Sequence, residues 1–304
     1  MTAASLAPLR WLARAGGAGL GCRYPFVLCY HGVGPVAARN DAHGLFVSRE
    51  LFLSHLDTIE ASGHELVSVG ELWRQLHSGA GAAGKGSITF DDALAKTVHE
   101  AVPVLLERGM GCSVFVPTGL IGAHHPDVPG ERILSAGEIR ELAAEGVEIG
   151  AHSADHIWLP GLSHAKALDQ LRRSRAVLED LLGRPVRTMA YPYGGHDAGT
   201  VRAAEEAGYE VACGCSGAGP QRWHALSVPR EPIHPSATPL RLRIKMAGLY
   251  GPAHALVGDA GLLGRRRAAR RRPQAPARTA VSSLYSSPRS AFSTSEAGGS
   301  KRSP

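Results

Sequence analysis

No apolar run in this chain approaches the roughly 18 residues that a transmembrane helix needs. An export signal is equally poorly supported. Arg10-Trp11-Leu12-Ala13-Arg14 leads into the Gly-rich stretch Ala15–Gly21, not into the roughly 7–15 continuous apolar residues of a signal h-region. The strand-like run Phe26–Tyr30 follows at once, so a cytoplasmic protein is expected. At most, residues 5–15 read as a short basic amphipathic helix touching a membrane surface. A disulfide framework is missing as well. The five cysteines, Cys22, Cys29, Cys112, Cys213 and Cys215, form no even set, and Cys213-x-Cys215 is too close and isolated for a zinc knuckle or redox pair. Reduced, semi-buried thiols are expected. The body of the chain also lacks basic charge. Residues 265–304 carry ten Lys/Arg and one acid, a local +9 against a total of +6, which leaves about −3 for the remainder. The pI of 9.2 is therefore a property of the tail, and no nucleic-acid partner is expected.

An apolar content of 44% and a charged content of 20% are ordinary for a soluble globular domain. The 304 residues suit one (β/α) barrel of about 250 residues plus a tail. Strand-like runs at Phe26–Tyr30, Ser87–Phe90, Ser113–Val116, Val147–Ala151, Thr188–Tyr191 and Tyr209–Ala212 are rich in β-branched or aromatic residues. Helical patterns lie between them at Arg49–Ser62, Val69–His77, Thr97–Arg108, Ser135–Glu145, Ser163–Leu182 and Gly199–Ala207. Their punctuation is clear: Ser48 opens the first, Ser135-x-x-Glu138 is a capping-box pattern, and Gly183 stops the longest before Pro185. Alternation of this kind predicts parallel strands with helical crossovers. No internal repeat is visible. After about Val257 an Arg-rich run passes into a Ser/Ala/Pro/Arg-rich segment that has no apolar pattern to bury, read as disordered. The expected organisation is an N-terminal extension over 1–23, one catalytic domain over 24–257 and a basic tail over 258–304. That tail is a solvated charged segment or a patch for anionic lipid head groups.

Three short runs carry the chemistry. Ser87-Ile88-Thr89-Phe90-Asp91-Asp92 ends a strand in two carboxylates. Gly150-Ala151-His152-Ser153-Ala154-Asp155-His156 ends another in two histidines four residues apart. Ala190-Tyr191-Pro192-Tyr193-Gly194 ends a third in a turn. Taken singly each has a bland reading: a cap, a structural histidine pair, a turn. All three, however, follow predicted strands, and the C-terminal ends of parallel strands form the ligand-binding rim. One carboxylate with two imidazoles is the usual set for a catalytic zinc with open positions. The second carboxylate is then free to act as base toward a water. A metal-dependent hydrolase is the first hypothesis.

Thr-Phe-Asp-Asp, His-Ser-x-x-His and Tyr-Pro-Tyr-Gly, in this order, resemble the polysaccharide deacetylases of carbohydrate esterase family four. Cys29-Tyr30-His31-Gly32-Val33 resembles the opening strand of many members, and Gly146-Val147-Glu148-Ile149-Gly150 the run before the family's histidines. Leu178-Glu179 and Leu182-Gly183, at the end of the long helix, also fit. The resemblance covers roughly residues 24–250. It implies a distorted (β/α) barrel of about seven units and a divalent metal, usually Zn2+, held by Asp92, His152 and His156. It further implies Asp91 as general base toward the attacking water and the Tyr193 backbone N–H as oxyanion donor. For the general acid two histidines compete, His234 in Pro232-Ile233-His234-Pro235 and His31 at the end of the first strand. His124, His125, His196 and His224 read as exposed loop residues. Two departures stand out. Ala93 occupies a position that is normally Gly, where a Cβ is costly if φ is positive. Ala190 stands where many members have an Arg that orients the base, so Asp91 needs another partner.

The activity so implied is removal of an N-acetyl group from an N-acetylated carbohydrate. With no clear export signal, a lipid-linked or nucleotide-linked amino sugar fits better than mature cell-wall polymer. The basic tail is a candidate for peripheral contact with an anionic membrane. The alternatives are deformylation or hydrolysis of another non-peptide C–N bond on the same scaffold, and a catalytically silent barrel that binds glycans. Specificity is expected in the rim loops Val36–Phe46, His124–Ile133 and Ser216–His224.

Overall fold

The computed structural model describes residues 24–37, 40–41, 43–78, 82–215 and 223–247. The expected N-terminal extension, the basic tail and parts of the first and third rim loops lie outside the described residues. Each sequence-predicted strand is present: β1 (Phe26–Tyr30), β5 (Lys85–Phe90), β6 (Cys112–Val116), β7 (Glu148–Ala151), β8 (Thr188–Ala190) and β9 (Val211–Cys213). Four two-residue strands join them: β2 (Gly32–Val33), β3 (Phe46–Val47), β4 (Glu65–Leu66) and β10 (Glu231–Pro232). The main sheet runs β10-β1-β5-β6-β7-β8-β9, with β4 alongside β5, and every pairing in it is parallel. Seven strands on one path match the expected barrel of about seven units. The segment after β9 nearly completes the circle: Val228 bridges to Cys213 of β9, and β10, three residues on, pairs with β1.

The helices are α1 (Arg49–Ala61), α2 (Val69–His77), α3 (Ala95–Glu107), α4 (Ala136–Ala144), α5 (His164–Leu182), α6 (Ala198–Glu206) and α7 (Pro239–Met246), the last unforeseen. Caps define their starts. Ser48, Ser68 and Ser135 accept from the third residue on, and Ser135 with Glu138 completes the capping box. Gly183 ends α5 at φ 64, a left-handed position that glycine takes without steric cost. No helix among the described residues is long and apolar enough to cross a membrane.

Strand alternation sorts the core into two shells. Phe26, Leu28 and Tyr30 pack outward against the helices, with Val114, Val116, Met189 and Ala212. Val27, Phe115, Ala190, Val211 and Cys213 form the inner cluster, joined by Val69 and Leu72 of α2. Because both strand faces are buried, the strands read as continuous apolar runs rather than alternating ones. The inward residues leave the rim end of the barrel to polar groups.

Candidate metal and active site

Each predicted polar group sits just past a strand. Asp91 N–H donates to the Tyr30 carbonyl (2.9 Å), and His152 N–H to that of Val116 (2.8 Å), so both continue their ladders by one rung before the chain turns. The chain then bends sharply. Among the described residues five non-glycines have positive φ, namely Asp92 (65°), Ala93 (48°), Ser153 (59°), His156 (50°) and Tyr193 (58°). Four of them belong to the three motifs and Ala93 follows the first directly, and left-handed backbone at such positions is held only where surroundings over-determine it. Ala93 thus carries the costly conformation, at roughly 1–2 kcal/mol for its Cβ. The histidine loop is anchored from outside by Gln170 of α5. Its Oε1 accepts from Asp155 N–H (3.0 Å) and its Nε2 donates to Asp155 Oδ2 (2.6 Å).

Asp92, His152 and His156 converge, their ligand atoms all within 4.8 Å of one another. His156 Nε2 is 3.0 Å and His152 Nε2 3.6 Å from Asp92 Oδ1. His152 Nδ1 lies 2.8 Å from the Ala190 carbonyl, which can only accept, so the proton is on Nδ1 and the Nε2 lone pair faces Asp92. Burial pushes His152 down to about 4, leaving it neutral at pH 7 as a ligand must be. Burial alone would raise Asp92, but the His156 charge and the neighbouring imidazoles hold it well below the ordinary carboxylate range. Asp92 Oδ1 is buried and receives no hydrogen bond. A buried, unsatisfied carboxylate oxygen ringed by imidazole nitrogens fits a divalent cation, and a two-nitrogen, one-oxygen set suits zinc.

Asp91 faces a different partner. Arg230 grips it in a two-pronged pair, Nη1 to Oδ1 at 2.6 Å and Nη2 to Oδ2 at 2.7 Å. Arg230 is only 1% exposed. It enters the barrel beside β10 and reaches toward the rim with its Cζ 5.5 Å from the Phe115 ring centre, donating to Gly214 O (3.2 Å) and Thr89 Oγ1 (3.0 Å). Burial raises the Asp91 carboxyl, but Arg230, with His152 and His31, brings it down to about 2. The sequence left the base without an arginine; the fold supplies one from 139 residues away. Cys29 Sγ also approaches Asp91 Oδ2 (3.4 Å), and Arg230 Nη2 lies 3.7 Å from Cys215 Sγ. Cys29, Cys112, Cys213 and Cys215 are free thiols, the first three buried and the last half-buried.

The two acid candidates separate. His31 Nε2 is 3.9 Å from Asp91 Oδ2 and its side chain is 19% exposed, open to the rim. His234 is exposed, with Nδ1 3.3 Å from the Gly44 carbonyl. Tyr193, in its left-handed position, packs its ring 4.8 Å from that of His156, and its hydroxyl donates to Asp127 Oδ2 (3.1 Å). Two loop expectations are corrected, for His125 and His196. His125 is not exposed but 3% accessible, its ring 5.1 Å from that of His156. His196 is half-buried, stacked on Tyr191 (5.1 Å, 17°), while His124 and His224 are exposed as expected. Trp158, 47% exposed, leans on Gly195, where a Cβ would meet its ring at 2.1 Å.

Residues 80–212 match the polysaccharide deacetylase family model. The Bacillus subtilis (strain 168) protein YxkH, which carries a provisional polysaccharide deacetylase name, is 25% identical over 186 residues, 61% of this chain and 62% of that protein. This chain thus spans under two thirds of that relative's length. Among solved structures, the Streptococcus pyogenes deacetylase PplD in complex with acetate aligns with a TM-score of 0.65 at 23% identity, covering 73% of this chain and 97% of that one. IcaB from Ammonifex degensii aligns with a TM-score of 0.64 at 27% identity, over 73% and 96%. Motif order, barrel topology and relatives point the same way: over residues 80–212 this chain matches the polysaccharide deacetylase family.

Proposed function

We propose that this protein is a metal-dependent N-deacetylase acting on an N-acetylated amino sugar. The observation that carries the reading is the arginine-clamped Asp91 set beside the Asp92, His152 and His156 ligand set. The match to the polysaccharide deacetylase family supports an acetylated carbohydrate as substrate. Asp92, His152 and His156 would hold the ion, which when bound supplies Lewis acidity toward a water and the acetamide carbonyl. That need follows from Asp91 itself. A carboxylate held near 2 is anionic at any working pH but is too weak a base for an unactivated water. Arg230 fixes its orientation. Asp91 takes the proton of the attacking water, the Tyr193 backbone N–H faces the developing oxyanion, and His31, at the rim, delivers a proton to the leaving amine. His31 is preferred over His234 as acid because of its approach to Asp91. Two departures favour a silent glycan-binding barrel, Ala93 and the missing motif arginine; the Arg230 clamp on Asp91 argues against the second.

The rim supports a sugar as substrate. Trp158 presents nearly half its surface beside Tyr193, with ring centres 6.4 Å apart, next to the metal-ligating His156. An indole in that place offers a stacking face for the apolar side of a pyranose. Trp158→Ala is expected to raise KM about tenfold, as for loss of an interaction worth about 1.4 kcal/mol, with kcat nearly unchanged. Steady-state kinetics on the best amino-sugar substrate check this. A fall in kcat with unaltered KM would count against Trp158 as a binding platform.

We place the substrate among biosynthetic intermediates in the cytoplasm, lipid-linked or nucleotide-linked, with zinc as the ion. The acyl group is decided by mass spectrometry across a panel of N-acetylated and N-formylated amino sugars. Loss of acetyl alone supports the assignment, whereas loss of formyl alone transfers it to deformylation.

A further inference from the structure

We infer that His125 is a positioning residue for the metal-ligating carboxylate of Asp92, supplied by a rim loop instead of by a barrel strand. His125 is 3% exposed, and its Nε2 is 3.6 Å from Asp92 Oδ1. On the far side of the ring, Nδ1 accepts from the backbone N–H of Asp127 (3.1 Å). An N–H can only donate, so Nδ1 carries the lone pair and the proton of the neutral ring sits on Nε2. That places the Nε2–H on the atom 3.6 Å from Asp92 Oδ1. Both atoms are buried and neither makes a hydrogen bond, although His156 Nε2 also stands 3.0 Å from the same oxygen. A shift of about 0.6 Å brings the pair to an ordinary N–H···O length.

The same tautomer speaks against a fourth metal ligand. To ligate through Nε2 the ring would need its proton on Nδ1, pointing at the Asp127 N–H, so two donors would confront each other. Packing alone is also insufficient. The edge contact with the His156 ring accounts for the burial of His125, but not for a donor and an acceptor left facing each other at the ligand set. Outer hydrogen bonds to ligating carboxylates and histidines fix ligand orientation and tune affinity. The loop braces a second wall too, since Asp127 Oδ2 accepts the Tyr193 hydroxyl. Residues 125–127 thereby tie the metal-ligating aspartate to the tyrosine of the opposite strand end.

This inference rests on the metal-site reading above, and the test separates the two. Zinc affinity is measured by competition with a chromophoric chelator for the wild-type chain, His125→Phe and His125→Gln, with thermal midpoints of the metal-free proteins as a folding control. Phenylalanine keeps the ring and removes the donor; glutamine replaces the ring and keeps an N–H at similar reach. His125→Phe is expected to bind zinc about 10–100-fold more weakly, and His125→Gln to recover most of that loss. If the phenylalanine variant does not fold, His125→Ala takes its place in the comparison. Wild-type affinity in the donor-free variant, or equal weakening in both, overturns the role of His125 alone. A wild-type chain that binds no zinc overturns this inference and the metal-site reading together.

Discussion

Replacing Arg230 with methionine is expected to cost about 3–5 kcal/mol of stability and to reduce turnover about 10²–10⁴-fold. Both effects come from one contact. The guanidinium is buried and its two-pronged pair with Asp91 is the chief force opposing the desolvation of that carboxylate. Without it, burial dominates and the Asp91 carboxyl moves above its ordinary value. The sign of the pH dependence then reverses. In the wild-type chain Asp91 is depressed to about 2, so its contribution is present above the unfolded value of about 3.9 and lost as pH falls through about 2. In the variant the raised carboxyl makes folding less favourable as pH rises past its ordinary value. The gap in unfolding free energy between the two proteins should therefore widen from pH 4 to pH 7. Urea denaturation at the two pH values checks this, and a gap independent of pH would mean that Arg230 acts by packing alone. Arg230→Lys should fall between, since an ammonium keeps the charge but not the planar fork.

Asp91→Asn is expected to lower kcat about 10²–10⁴-fold while leaving zinc affinity near the wild-type value. The amide cannot take a proton from water, but Asp92, His152 and His156 are untouched. This variant also leaves the Arg230 charge buried with no anion, so it should be less stable. The double variant Asp91→Asn/Arg230→Met removes both charges, and it should regain much of the stability lost by either single change without regaining activity. Equilibrium denaturation and kcat across the four proteins separate the structural role of the pair from its catalytic one. Undiminished kcat in Asp91→Asn would remove Asp91 as base.

Much of this was legible because it is local. Period, caps and strand runs located the six long strands and six of the helices, since each is decided within one window of sequence. The Asp-Asp, His-x-x-x-His and Tyr-Pro-Tyr-Gly runs follow strands that must be parallel, which brings them to one rim. Arg230 was invisible for the opposite reason. It precedes a two-residue strand with no pattern of its own, and its partner is 139 residues away. A lone arginine between Pro229 and Glu231 carries no sign that it is buried. The one available hint was negative, a base that lacked its usual arginine. His125 misled through its company: His124, Pro126 and Asp127 are exposed, and the ring turns inward where the loop pairs back on itself, His124 with Arg132 and His125 N–H with the Glu131 carbonyl. Ala93 was legible as a risk, and its φ of 48° shows the strain to be real.

Zinc titration into metal-free protein during hydrolysis of an N-acetylated amino sugar, with acetate and bound zinc quantified together, addresses the central claim most directly. One zinc per chain is expected, with acetate release rising in step with occupancy, stopping on chelation and returning when zinc is restored. Acetate release that persists in fully chelated protein would contradict it, as would zinc-saturated protein that releases acetate from no N-acetylated amino sugar.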